Sequence, residues 1–194
     1  MTRNRALLVA AASIATLTVV WGVFVWLPKR ASRPAPVSAA PAPAAAVEVG
    51  RKIKARLFYV SDDGTRLMSV DREVPYAGPT ETQARRILEA QVAPATAPLV
   101  SAIPAGTTVR AVFLTQGTAF VDLSGEIASH HPGGSLNELL TVYTIVQALT
   151  TNLPAVTSVQ LLVDGKEIDT LAGHLDMKHP LPRGDEWVVE SSTR

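Results

Sequence analysis

The chain has 194 residues, 47% of them hydrophobic and 18% charged, with a formal net charge of +1, which suits one ordinary domain with accessory segments and leaves little room for two. It contains no cysteine, so disulfides, thiolate chemistry, cysteine-based zinc sites and a lipid-modified cysteine are excluded. Residues 51–194 carry 13 Lys and Arg against 16 Asp and Glu; a mildly acidic region without a broad basic stripe argues against a nucleic-acid partner.

The first segment, residues 1–5, is a short tail with Arg3 and Arg5. Residues 6–27, from Ala6 to Leu27, are apolar or small and carry no charge, long enough to cross a bilayer as a helix. Trp21 and Trp26 lie towards one end, where aromatic rings favour the headgroup region. A cleaved signal peptide is the rival reading, but the run exceeds a usual apolar signal core, and the nearest small-residue cleavage site, near Val37 to Ala39, lies beyond Lys29 and Arg30. The expectation is an uncleaved signal anchor. Basic residues on both sides leave orientation unread, and the very short N-terminal tail favours export of the C-terminal part. This predicts a single-pass protein of the bacterial cytoplasmic membrane, with its C-terminal domain on the periplasmic or cell-wall side.

Residues 28–48 are dominated by Pro and Ala and show no hydrophobic period. Proline fixes its own φ and restricts its predecessor, so this linker is expected to be extended, with a reach of roughly 60 Å. Residues 49–190 form the expected domain. RKIKARLFYV reads as a strand, with Ile53, Ala55, Leu57 and Tyr59 on one face and Lys52, Lys54 and Arg56 on the other. Asp63-Gly64 turns it into RLMSVDREV. The basic face could meet anionic lipid or polymer, or could protect a sheet edge from pairing.

Thr80 followed by Gln83 fits a capping box at the start of a helix carrying Ala84, Ile87, Leu88 and Val92, which Pro94 ends. IPAGTTVRAVFLT and TAFVDLS read as a second hairpin about Gln116-Gly117. Ser135 and Glu138 predict another capping box, opening LNELLTVYTIVQALTTNL, a helix apolar over most of its circumference and therefore buried. After Pro154, VTSVQLLV is a strand that Asp164-Gly165 turns into KEIDTL. The order hairpin, helix, hairpin, helix, hairpin predicts an α+β fold, an antiparallel or mixed sheet built from hairpins with two main helices on one face.

One stretch invites an enzyme reading. TAFVDLSGEIASHHPGGS brings Asp122, Ser124, Glu126, His130 and His131 together in sequence. A hydrolase using Ser124 with His130 or His131 requires those groups to converge. However, adjacent histidines in a Pro-Gly-Gly loop diverge, and no Gly-x-Ser-x-Gly elbow surrounds Ser124. The preferred reading is a solvated loop leading to the Ser135 cap. His174, Asp176 and His179 form a loose set better suited to structural hydrogen bonds, and Asp62-Asp63 and Asp185-Glu186 look like solvated turn residues. No catalytic residue, cofactor or metal ligand is therefore assigned.

Several strings, in order, resemble the GerMN domain, the sporulation and spore germination domain named after GerM. They are Ile103 to Thr107 (IPAGT), TAFVDLS, Gly133-Gly134-Ser135, VYTIVQALT, VQLLVDGK and TLAGHLD, spanning most of Arg51 to Leu181. The resemblance implies an α+β module outside the cytoplasmic membrane, acting in envelope or sporulation assemblies and not in catalysis. The chain departs from the family in having one copy where some members have two, in lacking a lipidation cysteine, and in having Val92-Ala93-Pro94 where a Leu-rich turn is common. The implied partners are an envelope protein or cell-wall component, with a homo-oligomer as a further possibility. The alternative function is binding of a small ligand or cell-wall fragment.

Overall fold

The computed structural model describes residues 50–189; the expected tail, anchor and linker all lie outside the described residues. Among the described residues, no helix is long and apolar enough to cross a membrane.

Strands β1 (Lys52–Val60) and β2 (Leu67–Pro75) pair antiparallel across the expected turn, and α1 (Thr80–Val92) follows. Strands β3 (Val109–Thr115) and β4 (Thr118–Leu123) form the second hairpin, followed by a short helix α2 (Glu126–Ser129) and the long helix α3 (Ser135–Asn152). Strand β5 (Ser158–Val163) runs parallel to β4, so α2 and α3 make the crossover between them. β6 (Lys166–Glu167) and β7 (Leu181–Pro182) both pair antiparallel with β5. The fold is α+β as expected, but its strands divide into two sheets: β1-β2, and a mixed sheet ordered β3-β4-β5-β6 with β7 also on β5.

Local chemistry explains most boundaries. Gln116 and Gly117, like Asp164 and Gly165, all have positive φ, the pairing that a two-residue hairpin with a primed turn requires. Ala93 is extended where α1 ends, because the ring of Pro94 disfavours helical geometry in its predecessor. In α3 every residue from Leu140 to Thr150 is buried. Its polar members are satisfied within the helix or nearby: the Thr144 and Thr150 hydroxyls donate to the Leu140 and Val146 carbonyls, at 2.7 and 2.8 Å. A helix surrounded on all sides can afford hydroxyls only when they are bonded in this way.

Neither capping box forms. The first helix has no side-chain cap bond from Thr80; the Gln83 carboxamide instead accepts from the Ala77 N–H at 2.7 Å and donates to the Pro75 carbonyl at 3.3 Å, closing the link from β2. Ser135 is the exposed first residue of α3 and makes no cap bond. Its expected partner Glu138 is fully buried and turned towards the segment after β6. That segment is why KEIDTL yields only a two-residue strand.

The two sheets meet the helices through their edges. On the side of β1 away from β2, the Arg56 N–H donates to Asn152 Oδ1 at 2.8 Å and the Asn152 Nδ2 donates to the Arg56 carbonyl at 2.7 Å. Two residues along, the Phe58 N–H donates to Gln91 Oε1 and the Gln91 Nε2 donates to the Phe58 carbonyl, both at 2.8 Å. Each carboxamide thus imitates one peptide unit of a neighbouring strand. The edge is protected here by amides from α1 and α3, in place of the expected lysines and arginines. Helix α1 treats β3 likewise: Arg85 donates to the Val109 and Arg110 carbonyls, and Glu81 Oε1 accepts from the Leu114 N–H.

Gln91 is fully buried. Replacing it by leucine strands a buried donor and acceptor on Phe58, so Gln91→Leu should cost about 3 kcal/mol. Asn152→Ala, at a pair that water can reach, should cost about 1 kcal/mol. Urea unfolding of both variants checks the order.

Candidate functional site

The residues that looked catalytic lie near one another, but the only hydrogen bond between their side chains runs from Ser124 to Glu126, and among the described residues none joins Ser124 to either histidine. Ser124 Oγ accepts from the Thr108 N–H at 3.0 Å, and its hydroxyl hydrogen bonds to the Glu126 carboxylate, which together with Glu126's own backbone N–H holds that carboxyl below its ordinary pKa. His130 Nδ1 lies 3.2 Å from the Ala105 carbonyl, which can only accept, so the ring donates from Nδ1. His131 Nδ1 accepts from the Gly133 N–H at 3.0 Å, and its Nε2 lies 3.2 Å from Thr141 Oγ1. Since the Thr141 hydroxyl donates to the Ala102 carbonyl at 2.7 Å, it accepts from His131, which fixes the Nε2–H tautomer. His131 is half-buried and the segment before it is helix α2, so the stretch is more structured than the solvated loop expected.

These bonds share one target. Thr141 holds Ala102, His130 holds Ala105 and Ser124 holds Thr108, so three anchors fix residues 101–108. A further turn within them is closed by the Thr107 N–H and hydroxyl, both donating to the Pro104 carbonyl. This segment forms one wall of a cleft of ≈ 680 Å³; the end of α1 and residues 92–95 form the other, with Pro132 at the rim. Among the described residues, its lining contains Ala, Pro, Val, Ile, Gly, Ser and Thr but no charged or aromatic side chain. Such a surface can exclude water from an apolar guest; it offers nothing to activate a nucleophile.

Most of the remaining candidates make structural bonds, whereas His179 is exposed and makes no hydrogen bond among the described residues. Asp122 is buried; its Oδ2 accepts from Arg110 Nε at 3.1 Å and its Oδ1 from the Gly165 N–H at 2.7 Å, which ties β3 and the β5–β6 turn to β4. His174 donates its backbone N–H to Glu138 Oε2 and places Nδ1 3.1 Å from the same oxygen. Asp176 accepts from the Lys178 N–H, and Asp185 pairs with Arg183 at 2.6 Å. Among the described residues, no three His, Asp or Glu side chains are grouped to hold a metal ion.

Glu138 is the group that sequence reasoning misplaced. Its Oε1 accepts from the Leu171 and Ala172 N–H groups, each at 2.8 Å, so TLAGHLD wraps around a buried carboxylate. Burial opposes the charge, but the backbone N–H groups of Ala172, His174, Leu171 and Leu175 outweigh it and hold the carboxyl below its ordinary value of 4.5. A glutamate three residues after a serine at a helix start is ordinarily a cap; only the loop, distant in sequence, reveals the other role.

A carboxyl with lowered folded pKa contributes stability that is fully present above the unfolded value and is lost as pH falls through the folded one. Stability should therefore decline below about pH 4.5, and Glu138→Gln should cost about 3 kcal/mol at pH 7 while flattening that decline; unfolding measured across pH checks both. Thr141→Val unpairs the half-buried Ala102 carbonyl and should cost about 1 kcal/mol or more, whereas Ser135→Ala should fall within about 0.5 kcal/mol because no cap bond is lost. Thermal melts of the two variants test that contrast.

Comparison with known proteins agrees with the fold. A candidate lipoprotein from Clostridium perfringens is similar over 69% of this chain and 89% of its own, at 21% identity and a TM-score of 0.50. The tandem GerMN domains of the sporulation protein GerM from Bacillus subtilis match over 70% of this chain and 45% of theirs, at 18% identity and a TM-score of 0.49. The first GerMN domain of the same protein matches over 69% and 95%, at 22% identity and 0.47. No curated protein sequence matches the chain. The model of the Germane family, sporulation and spore germination, matches residues 56–169, more than half of the chain, and the chain belongs to that family.

Proposed function

We propose that this protein is a non-enzymatic interaction module of the bacterial envelope, held outside the cytoplasmic membrane by an anchor at residues 6–27 and a tether at residues 28–48, with residues 49–190 as the working domain. The observation that carries this reading is the use made of Ser124, His130 and His131. All three are spent on bonds that position one wall of the cleft or its neighbours. Membership of a sporulation and germination family supports the same direction.

The guest of the cleft is an uncharged, apolar segment of another envelope protein. Its lining of small aliphatic residues and prolines favours such a segment, because apolar area is what it can remove from water. A polar cell-wall fragment needs convergent hydrogen-bonding side chains, and this cleft supplies only scattered hydroxyls.

Site-specific photocrosslinking in intact cells tests this. A crosslinker at exposed Ala105, on the cleft wall, should give a discrete protein adduct that a crosslinker at Asp62, in the β1–β2 turn, does not. Ala93→Arg should reduce that adduct several-fold by placing a charge opposite. Equal labelling from both positions, or labelling of glycan alone, would refute the reading; an adduct between two copies would make the apolar segment the protein's own.

A further inference from the structure

A second concavity lies on the opposite chemical footing. The chain after β7 runs over α3 to the outer edge of β2, where Val188 bridges Leu67 in parallel: the Val189 N–H donates to the Leu67 carbonyl at 2.8 Å, Trp187 packs on Tyr143 with ring centroids 6.1 Å apart, and Gln147 Nε2 donates to the Gly184 carbonyl. Between this strap, β1, β2 and α3 remains a hollow of ≈ 300 Å³, with Arg56, Ser69, Arg183 and Asp185 among its lining residues.

We infer that this hollow binds a phosphodiester, with Arg56 and Arg183 as its cationic ligands. Arg56 stands directly across from Asp71 in the β1–β2 register, yet forms no ion pair among the described residues and lines the hollow instead. Its backbone is held on both sides by the Asn152 carboxamide, so the base of the side chain is fixed before any ligand arrives. Arg183 is oriented through Nε by Asp185 at 2.6 Å, which leaves its two terminal nitrogens for a guest. The Ser69 hydroxyl has no hydrogen bond among the described residues and adds a donor from a third element.

Charge and shape narrow the guest. Among the lining residues two guanidiniums and one carboxylate leave a single positive charge, matched by a monoanion, with Asp71 across from Arg56 but outside the lining. Donors on separate walls suit the tetrahedral oxygens of phosphate, and guanidinium forks pair well with them. A bare ion would leave much of the hollow empty, whereas the carbon arms of a diester can lie against Val188 and Val189. Phosphodiesters outside the cytoplasmic membrane occur in lipid headgroups and in soluble or polymeric form, and both present the same group.

The test uses the full-length protein in neutral detergent micelles, titrated with soluble glycerophosphoglycerol and followed by calorimetry. Arg56→Gln and Arg183→Gln should each weaken binding about tenfold. Lys54→Gln, which removes a charge from the same strand face outside the hollow, should leave it unchanged. The Arg56 side chain is exposed and its strand bonds use only backbone, so that variant keeps its fold, which an unchanged melting temperature verifies. Reconstitution with phosphatidylglycerol vesicles assigns the source: vesicle binding displaced by the soluble diester identifies a lipid headgroup, and diester binding without vesicle binding identifies a soluble or polymeric one. No detectable binding, equal loss in all three variants, or competition by acetate as strong as by the diester would overturn the assignment.

Discussion

The outer edge of β1 has no neighbouring strand at Arg56 and Phe58, and two helix carboxamides take the place of one. A sheet edge that is buried against helices normally leaves backbone N–H and C=O groups unpaired, at a cost of about 1–3 kcal/mol for each. Asn152 and Gln91 each supply one acceptor and one donor at the spacing of alternate strand residues. The two-stranded sheet can therefore end against the helix layer without a third strand, and the exposed edge that would otherwise template pairing with another chain is closed there.

Helix α1 extends the same solution in the other direction. With Gln91 on β1 and with Arg85 and Glu81 on β3, it satisfies backbone groups of both sheets at once. This explains how two separate sheets share one apolar core, and it holds in place the end of α1 that Pro94 sets. That end, with Pro94 beyond it, is one wall of the apolar cleft; the other wall is the 101–108 segment held by Thr141, His130 and Ser124. The functional surface is thus set by polar side chains acting on backbone, while the apolar residues supply the lining.

What the sequence revealed follows from this division. Periodicity placed β1, β2, α1, β3, β4, α3 and β5, and turn-forming residue pairs placed the Gln116-Gly117 and Asp164-Gly165 turns, because those signals are local. The family was legible in short strings whose order, more than their individual content, was specific. Misreadings arose wherever a polar side chain had a partner far along the chain. Ser135 and Glu138 fit a local cap, yet Glu138 belongs to residues 171–174. Ser124 and the histidines read as part of a solvated loop, yet they bond to Thr108, Ala105 and Thr141. Gln91 and Asn152 draw no assignment from local pattern, because the strand they complete is distant in sequence. Local spacing cannot rank a neighbour four residues away against one ninety-six residues away, which is the separation of Asn152 from Arg56.

If edge completion by amides is the constraint that organises this domain, amide hydrogen exchange along β1 measures it directly. Lys54, Arg56 and Phe58 present their N–H groups to the same outer side of the strand; only Arg56 and Phe58 meet a carboxamide among the described residues. Native-state exchange should show Phe58 protected to near the level of global unfolding, Arg56 somewhat less, and Lys54 exchanging fast. Phe58 exchanging as rapidly as Lys54 would contradict the account, since its N–H would then be open to water and the edge of β1 unsealed.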